Sequence, residues 1–335
     1  MAAGEFSTSE LAEIKLKADQ IYSGDTAESA HYKAEVEAVR AIKQNQTAKI
    51  VNLEGYQEKD HTVGINWIDA TGVADAADAD ACDIDEAELE TKAIPVELNI
   101  TRKAGFSVSE AKLRKSIFSK EEVVAKGLLA AMKELDEYLA VQAILFLNNS
   151  AGTPANTGGF TFDAPSKTVQ IPSAQYNSGI IPHFSKLAVL NKIRDSYVLD
   201  NGELFIPYEN AKFNAGNAEG KGDQARFNSL PMYFDMFNFA ASGVAPDTTY
   251  LVGKNAAAFA SRVRYTSAPV QFPNDQKRYS IKSKNIEGVE YEVVYQLKCV
   301  NDELFHVFRL RVKAGFYLNP TAIAGNTGVI GFAKV

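Results

Sequence analysis

From Ser119 to Asn148 apolar residues return every three or four positions (Val124, Leu128, Ala131, Met132, Leu135, Leu139, Ala143, Phe146), the period of a single helical face. The stretch opens on Ser119-Lys-Glu-Glu122, a capping box in which hydroxyl and carboxylate each satisfy a backbone N–H at the helix start. It closes at Asn148-Asn-Ser-Ala-Gly152. At about 1.5 Å per residue this predicts a helix roughly 43 Å long, with no heptad pattern to make it a coiled coil. The fold must therefore lay a sheet or other helices along this stripe.

The segments around it show other periods. Residues Ser9 to about Gln44 predict an N-terminal arm with two helical pieces, interrupted at Tyr22-Ser-Gly-Asp25 and carrying little core of its own. Strand-like runs occupy Ala48 to Asp69 and Ala93 to Val108. The second alternates as Ile94-x-Val96-x-Leu98-x-Ile100, so one face is buried, and Pro95 belongs at a strand start or on an edge. Together these two runs predict a long projecting hairpin. After a Gly, Thr, Asn and Pro-rich loop (Ala151 to Gly159), a second amphipathic helix is expected over His183 to Val198. A strand at Thr249 to Val252, a short Ala-rich helix over Asn255 to Arg262 and a return strand complete a compact α+β module. Two long strands, Val289 to Val300 and Glu303 to Val312, read as a hairpin turning at Asn301-Asp302.

Charge is informative through its placement. Nine acids and no Lys or Arg lie between Asp69 and Glu90, and removing them from the 42 in the chain leaves 33 against 35 bases. One segment thus accounts for the net charge of −7. Like charges separated by small Ala residues repel, which predicts an exposed tip that could dock on basic residues of a neighbour. Asp78, Asp80, Asp83, Asp85 and Glu86 offer hard oxygen ligands, but the spacing and the lack of a Gly after Gly72 argue against a calcium loop. The composition, 335 residues with 46% hydrophobic, 23% charged, 22 Gly and 11 Pro, excludes a disordered, collagenous or disulfide-stapled chain. The length suggests about two domains or one elaborated one.

The residues of chemistry are sparse. Cys82 and Cys299 can build neither a disulfide framework nor a thiolate metal site. His31, His61, His183 and His306 belong to no ligand motif. Gly216-Asn-Ala-Glu-Gly220-Lys221-Gly222 has the wrong spacing for a phosphate loop and Gly where Ser or Thr is needed, and no nucleophile elbow, zincin helix or dinucleotide fingerprint occurs. No catalytic, cofactor-binding or metal-binding residue is assigned. The longest apolar runs fall far short of the ~20 residues of a membrane helix, and Met1 to Glu10 has no secretory pattern, which we read as a start in reducing cytoplasm. The sequons at Asn45, Asn99 and Asn148 are then chance matches. Basic residues cluster at Lys112-Leu-Arg114-Lys115, Arg262-Val-Arg264, Lys277-Arg278 with Lys282 and Lys284, and Arg309-x-Arg311-x-Lys313, the last on one strand face. The acidic overall balance does not favour a dedicated nucleic-acid reader.

Taken in order, the arm, the long hairpin with a charged tip, the Ser119–Asn148 helix, the α+β module and the closing strands resemble the major capsid proteins of tailed bacteriophages, the Hong Kong 97-type shell fold. The resemblance covers nearly the whole chain and rests on layout. It implies an α+β chain with an N-terminal arm (1–44), an extended loop lying over the adjacent subunit (45–110), a peripheral domain with the spine helix (111–180 and 275–335) and an axial domain (181–274). It further implies a non-enzymatic, cofactor-free protein that self-assembles through hexamers and pentamers into an icosahedral head around double-stranded DNA. Portal, scaffold or decoration proteins would be its other partners, the virion its location and the host cytoplasm its site of synthesis. An arm and a hairpin with little core of their own are consistent with assembly completing the fold. An encapsulin-type compartment, a double jelly-roll capsid protein and an enzyme with a site assembled over long range are the alternatives.

Overall fold

The computed structural model describes residues 5–24, 26–51, 62–68, 91–193, 195–205, 230–245, 247–254, 256–273, 275–319 and 327–335. The acidic segment 69–90, the 216–222 loop, His61 and Cys82 lie outside the described residues. The chain divides into two compact units, each woven from three separated stretches. The first comprises Met1–Arg40, Leu98–Ala143 and Ser261–Gly315, the second Ala41–Glu97, Ile144–Ala260 and Phe316–Val335.

In the first unit, α1 (Thr8–Ser23) starts at a complete capping box: Ser7 Oγ accepts from the Glu10 N–H at 3.2 Å, and the Ser7 N–H donates to Glu10 Oε2 at 2.6 Å. The expected second helical piece is divided into α2 (Ala27–His31) and α3 (Glu37–Asn45). The division follows from a tertiary contact, because the Ala34 N–H donates to Asn285 Oδ1 at 2.9 Å rather than to a helical carbonyl. Within the unit Leu11, Ile14 and Ala18 of α1 are fully buried, so this part of the arm packs on its own chain. A short helix, α4 (Glu110–Lys115), precedes the long one, α5 (Lys120–Ser150). Ser119 Oγ accepts from the Glu122 N–H at 3.1 Å as expected, and the Glu122 carboxylate pairs with Lys126 at 3.0 Å.

The sheet of this unit is antiparallel. Strand β4 (Ile100–Ser109) pairs with β14 (Glu303–Leu318), β14 with β13 (Glu290–Val300), β13 with β12 (Gln276–Lys282) and β12 with β11 (Val270–Phe272). Asn301 and Asp302 turn the β13–β14 hairpin at φ of 51° and 61°, the left-handed pair that a two-residue turn needs to match strand twist. Alternation sends Tyr291, Val293, Tyr295, Phe308, Leu310 and Val312 into the core. Phe106 of β4 stacks on Phe308 at 5.1 Å, and a Cβ on Gly127 of α5 would sit 2.5 Å from that same Phe106 ring. Gly127→Ala would ordinarily gain about 1 kcal/mol of helix propensity. Here overpacking against a stacked ring costs roughly 1–3 kcal/mol, so the variant is expected to melt lower than the parent. A higher melting temperature would show that the ring yields.

In the second unit β1 (Lys49–Val51), β2 (Thr62–Ile68) and β3 (Thr91–Glu97) form a sheet in that order. β2 and β3 pair antiparallel with Ile68 opposite Thr91, and Pro95 lies opposite Gly64 on the edge strand, where its missing N–H costs no ladder bond. A six-stranded mixed sheet runs β5 (Thr161–Asp163), β6 (Thr168–Ile171), β15 (Val329–Lys334), β9 (Thr248–Gly253), β7 (Ser196–Asp200) and β8 (Met232–Phe234). Helix α6 (Ile181–Leu190) packs on it, with Phe184 and Phe332 rings 4.5 Å apart, and α7 (Met236–Ser242) follows β8.

Two expected helices here are corrected. The His183–Val198 helix ends at Leu190. Lys192 and Asp195 take left-handed φ of 58° and 50°, and Tyr197, Val198 and Leu199 continue as the fully buried strand β7. The Ala-rich stretch is the strand β10 (Ala257–Ser261), paired with β14. Its Ala257, Ala258, Phe259 and Ala260 are all buried, and tertiary context overrides alanine's helix preference. Asp200 organises the turn after β7: its Oδ2 accepts the N–H groups of Gly202, Leu204 and Phe205 at 2.8–3.0 Å, and its Oδ1 the Thr249 hydroxyl at 2.6 Å.

Candidate assembly surfaces and their internal supports

Among the described residues no three His, Cys, Asp or Glu side chains converge as a metal site would require, and no helix is long and apolar enough to cross a membrane. His31 closes α2 and packs edge-on to Tyr32, and His183 stands beside Phe160. Cys299 is exposed. Of the sequon residues, Asn45 is buried with its Nδ2 donating to the Ala41 carbonyl at 2.8 Å, and Asn148 Oδ1 accepts from the Tyr250 hydroxyl at 2.9 Å. A cavity of about 460 Å³ at the end of α5 is lined by Asn149, Ser150, Gly152, Thr153, Phe162 and Lys167 among others, with no carboxylate, imidazole or thiol. Its lining suits neither acid–base nor nucleophilic chemistry.

What the first unit does contain is a set of buried polar supports. His306 is an inward residue of β14, in phase with Phe308, Leu310 and Val312. Its Nε2 lies 2.8 Å from Glu110 Oε2 and its Nδ1 3.0 Å from the Tyr295 hydroxyl, which accepts the Phe6 N–H at 3.1 Å. That geometry assigns the tautomer: Tyr295 donates to Nδ1, and Nε2–H donates to Glu110. Burial alone would raise the Glu110 carboxyl. Hydrogen bonds from His306, Lys120 and Arg114 outweigh it and hold the group at about 2. Phe6 sits over this chain, its ring 4.5 Å from His306, while its carbonyl accepts from Lys277 and Glu5 pairs with Lys277 at 3.0 Å.

The second support is centred on Asp136 of α5, which is completely buried. Its Oδ1 accepts from the Ser283 hydroxyl at 2.7 Å and from the Tyr291 hydroxyl, and its Oδ2 from Asn285 Nδ2 at 2.8 Å. Asn285 Oδ1 in turn accepts from the Tyr22 hydroxyl at 2.8 Å and from the Ala34 N–H. One carboxylate thus ties the long helix, the β12–β13 turn and the arm. Desolvation pushes its pKa up to about 6 despite the three donors.

Sequence reasoning passed over both groups, although a signal for each was present. Asp136 falls at Met132-x-x-x-Asp136-x-x-Leu139-x-x-x-Ala143, on the helix's apolar stripe, and His306 falls on the inward phase of its strand. A polar residue on a buried phase needs a partner.

The sheet's opposite face is basic. Register places Arg278, Val294, Arg309 and Gly105 in one row across β12, β13, β14 and β4, and Ser280, Glu292, Arg311 and Lys103 in the next. Lys282 and Glu290 share the following row, Lys313 stands opposite Thr101, and Lys298 and Glu303 complete the charged positions. Seven bases therefore meet three acids, with Arg309, Arg311 and Lys313 on one face as the alternation implied. Arg311 is held by Glu292 through Nε at 2.7 Å and Nη2, and Arg309, Lys103 and Lys282 are exposed. The loop carrying Arg264 and Tyr265 covers part of this face, through bonds to Glu292, Ser280 and Arg278.

No family model matches the chain, and no curated protein matches it. Solved structures do. The Cyanophage A-1(L) capsid asymmetric unit aligns over 94% of this chain and 97% of its own at 11% identity, with a TM-score of 0.50. Chains from Mycobacterium phage Adephagia (13% identity, 99% of both chains, TM-score 0.46) and Mycobacterium phage Che8 (15%, 85% and 92%, 0.42) also align. At these identities the likeness is one of fold. It is carried by the cyanophage structure, and the chain resembles phage capsid proteins over nearly its full length.

Proposed function

We propose that this chain is a structural major capsid protein whose copies assemble, as hexamers and pentamers, into an icosahedral head of the Hong Kong 97 type around double-stranded DNA. The observation that carries the reading is the near end-to-end fold likeness to a phage capsid subunit. The absence of convergent catalytic groups among the described residues is compatible with it. In this reading the arm is residues 1–44, and residues 45–110, with β2, β3 and the acidic segment, form the extended loop laid over the adjacent subunit. Residues 111–180 and 275–335, with α5 as the spine helix, form the peripheral domain, and 181–274 the axial domain. Portal, scaffold or decoration proteins and packaged DNA are its expected partners, and the virion its location after synthesis in the host cytoplasm.

Sedimentation of the purified native material, followed by electron microscopy of the same fraction, is expected to give megadalton shells. DNA inside them supports a phage head, whereas a co-purifying enzyme would identify an encapsulin-type compartment. A species that stays near 36.5 kDa under all assembly conditions refutes the shell reading.

A further inference from the structure

The basic sheet face carries an electrostatic imbalance that the described residues leave uncorrected. Lys103 and Arg311 are direct cross-strand neighbours, and Arg309 lies diagonally beside Lys103, one row on. Like charges directly opposite destabilise a strand pair. Glu292 offsets one of these three charges, and neither β4 nor Val307–Lys313 of β14 places an acid on this face. The spot is open as well as charged. Thr101, Lys103, Gly105, Ser107 and Arg309 are exposed, and among the described residues β4 pairs only with β14, so it is an edge strand. Gly105 keeps the row flat, and any Cβ there would come within 2.7 Å of the Phe308 carbonyl oxygen. A flat, cationic sheet edge of this kind fits an extended polyanionic peptide.

The same chain contains one. Residues 69–90 hold nine carboxylates and no base, and they leave from Ile68 and return at Thr91, which are paired directly opposite each other. Twenty-two residues tethered at one point can reach well beyond their own hairpin at up to ~3.3 Å per residue. From this complementarity we infer that the Lys103–Arg309–Arg311 face receives the 69–90 segment of a second copy. The inference rests on the assembly reading above and specifies which surface one copy offers another. Contact between two different surfaces is heterologous and closes into rings, as hexamers and pentamers require. Being electrostatic and exposed, it weakens with salt as the screening length falls from about 30 Å at 0.01 M to about 10 Å at 0.1 M.

The test is carbodiimide coupling, which joins carboxylates to lysine amines, on an equimolar mixture of ¹⁴N and ¹⁵N full-length chain. Cross-links between residues 69–90 and Lys103 that join unlike isotopes are expected. Links only within like-labelled chains would refute docking in trans. In parallel, Lys103→Glu with Arg309→Glu is expected to cut particle yield at low salt about tenfold or more, a change of roughly 1.4 kcal/mol per contact. Combining it with Asp78, Asp80, Asp83 and Asp85→Lys should restore part of the yield.

If the Glu variant does not fold, judged by its melting curve, the milder Lys103→Gln with Arg309→Gln is used and should show the same direction. Parent-like assembly of a folded variant overturns the inference, and so does normal assembly combined with lost affinity for a DNA duplex, which would give this face to nucleic acid. If the parent chain forms no particle at all, the shell reading fails by itself, and the isotope-mixed cross-links still decide whether two copies dock here.

Discussion

Asp136→Ala is expected to destabilise the chain by about 3–5 kcal/mol, because it removes the common acceptor of a buried network. The hydroxyls of Ser283 and Tyr291 and the Nδ2 of Asn285 would all lose their acceptor at once. Asn285 cannot simply turn over to compensate, since its Oδ1 is committed to Tyr22 and Ala34 of the arm. Loosening should therefore spread from α5 to the arm. Faster amide exchange between residues 22 and 34 is the accompanying signature, and a loss under about 1 kcal/mol would remove the network from its proposed role.

Asp136→Asn separates charge from hydrogen bonding. With the folded pKa near 6 and the unfolded value near 3.8, the folded state binds the extra proton between those two values. The contribution of this group to stability is then fully present below about pH 4 and lost as pH rises through 6, a change of roughly 3 kcal/mol. Glu110 works in the opposite sense. Its folded pKa of about 2 lies below the unfolded 4.5, so its contribution is present above pH 4.5 and lost as pH falls towards 2. Denaturant unfolding of the parent across pH 4–7 should show the falling limb due to Asp136, and Asp136→Asn should flatten it. The amide would also set its NH₂ against that of Asn285, which costs about 1–3 kcal/mol at pH 4, where the parent carboxyl is protonated. An unchanged slope in the variant would assign the pH dependence to other groups.

Phe6→Ala is the second large effect, at about 3–4 kcal/mol. Only 2% of Phe6 is exposed, and its ring meets His306, Tyr295 and Phe308 at 4.5, 5.7 and 6.2 Å. Its backbone is fastened on both sides, by Tyr295 and Lys277. Loss of the ring leaves a cavity directly over the His306–Glu110 pair and admits water to a buried hydrogen-bond chain. Removing residues 1–7 entirely should cost at least as much, since the α1 capping box goes with them. Melting of the unassembled protein measures both, and a parent-like melting temperature for Phe6→Ala would show that the arm is held elsewhere.

Local periodicity made much of the fold legible. The long helix, the β2–β3 pair around the acidic segment, Pro95 on an edge and the Asn301-Asp302 hairpin all follow from patterns spanning fewer than about thirty residues, where backbone geometry alone dictates which side chains share a face. The alternation of Arg309, Arg311 and Lys313 with Phe308, Leu310 and Val312 belongs to the same class.

The errors share a cause. Residues 192–198 and 257–261 have helical or ambiguous local preference, and their strand state comes from β7 and β10 pairing with partners distant in sequence. Pairing partners also decided the surfaces. Lys103 becomes a neighbour of Arg311 only through the β4–β14 register, two hundred residues apart in the chain. Likewise Asp136, Asn285 and Tyr22, or Phe6, Tyr295, His306 and Glu110, are scattered letters until the fold brings them into hydrogen-bond range. Sequence by itself determined the elements and the sign and location of the charge, because those depend on neighbours along the chain. The tertiary structure alone decided which buried polar groups meet and which charges share a face, because burial and register are properties of contacts between distant segments.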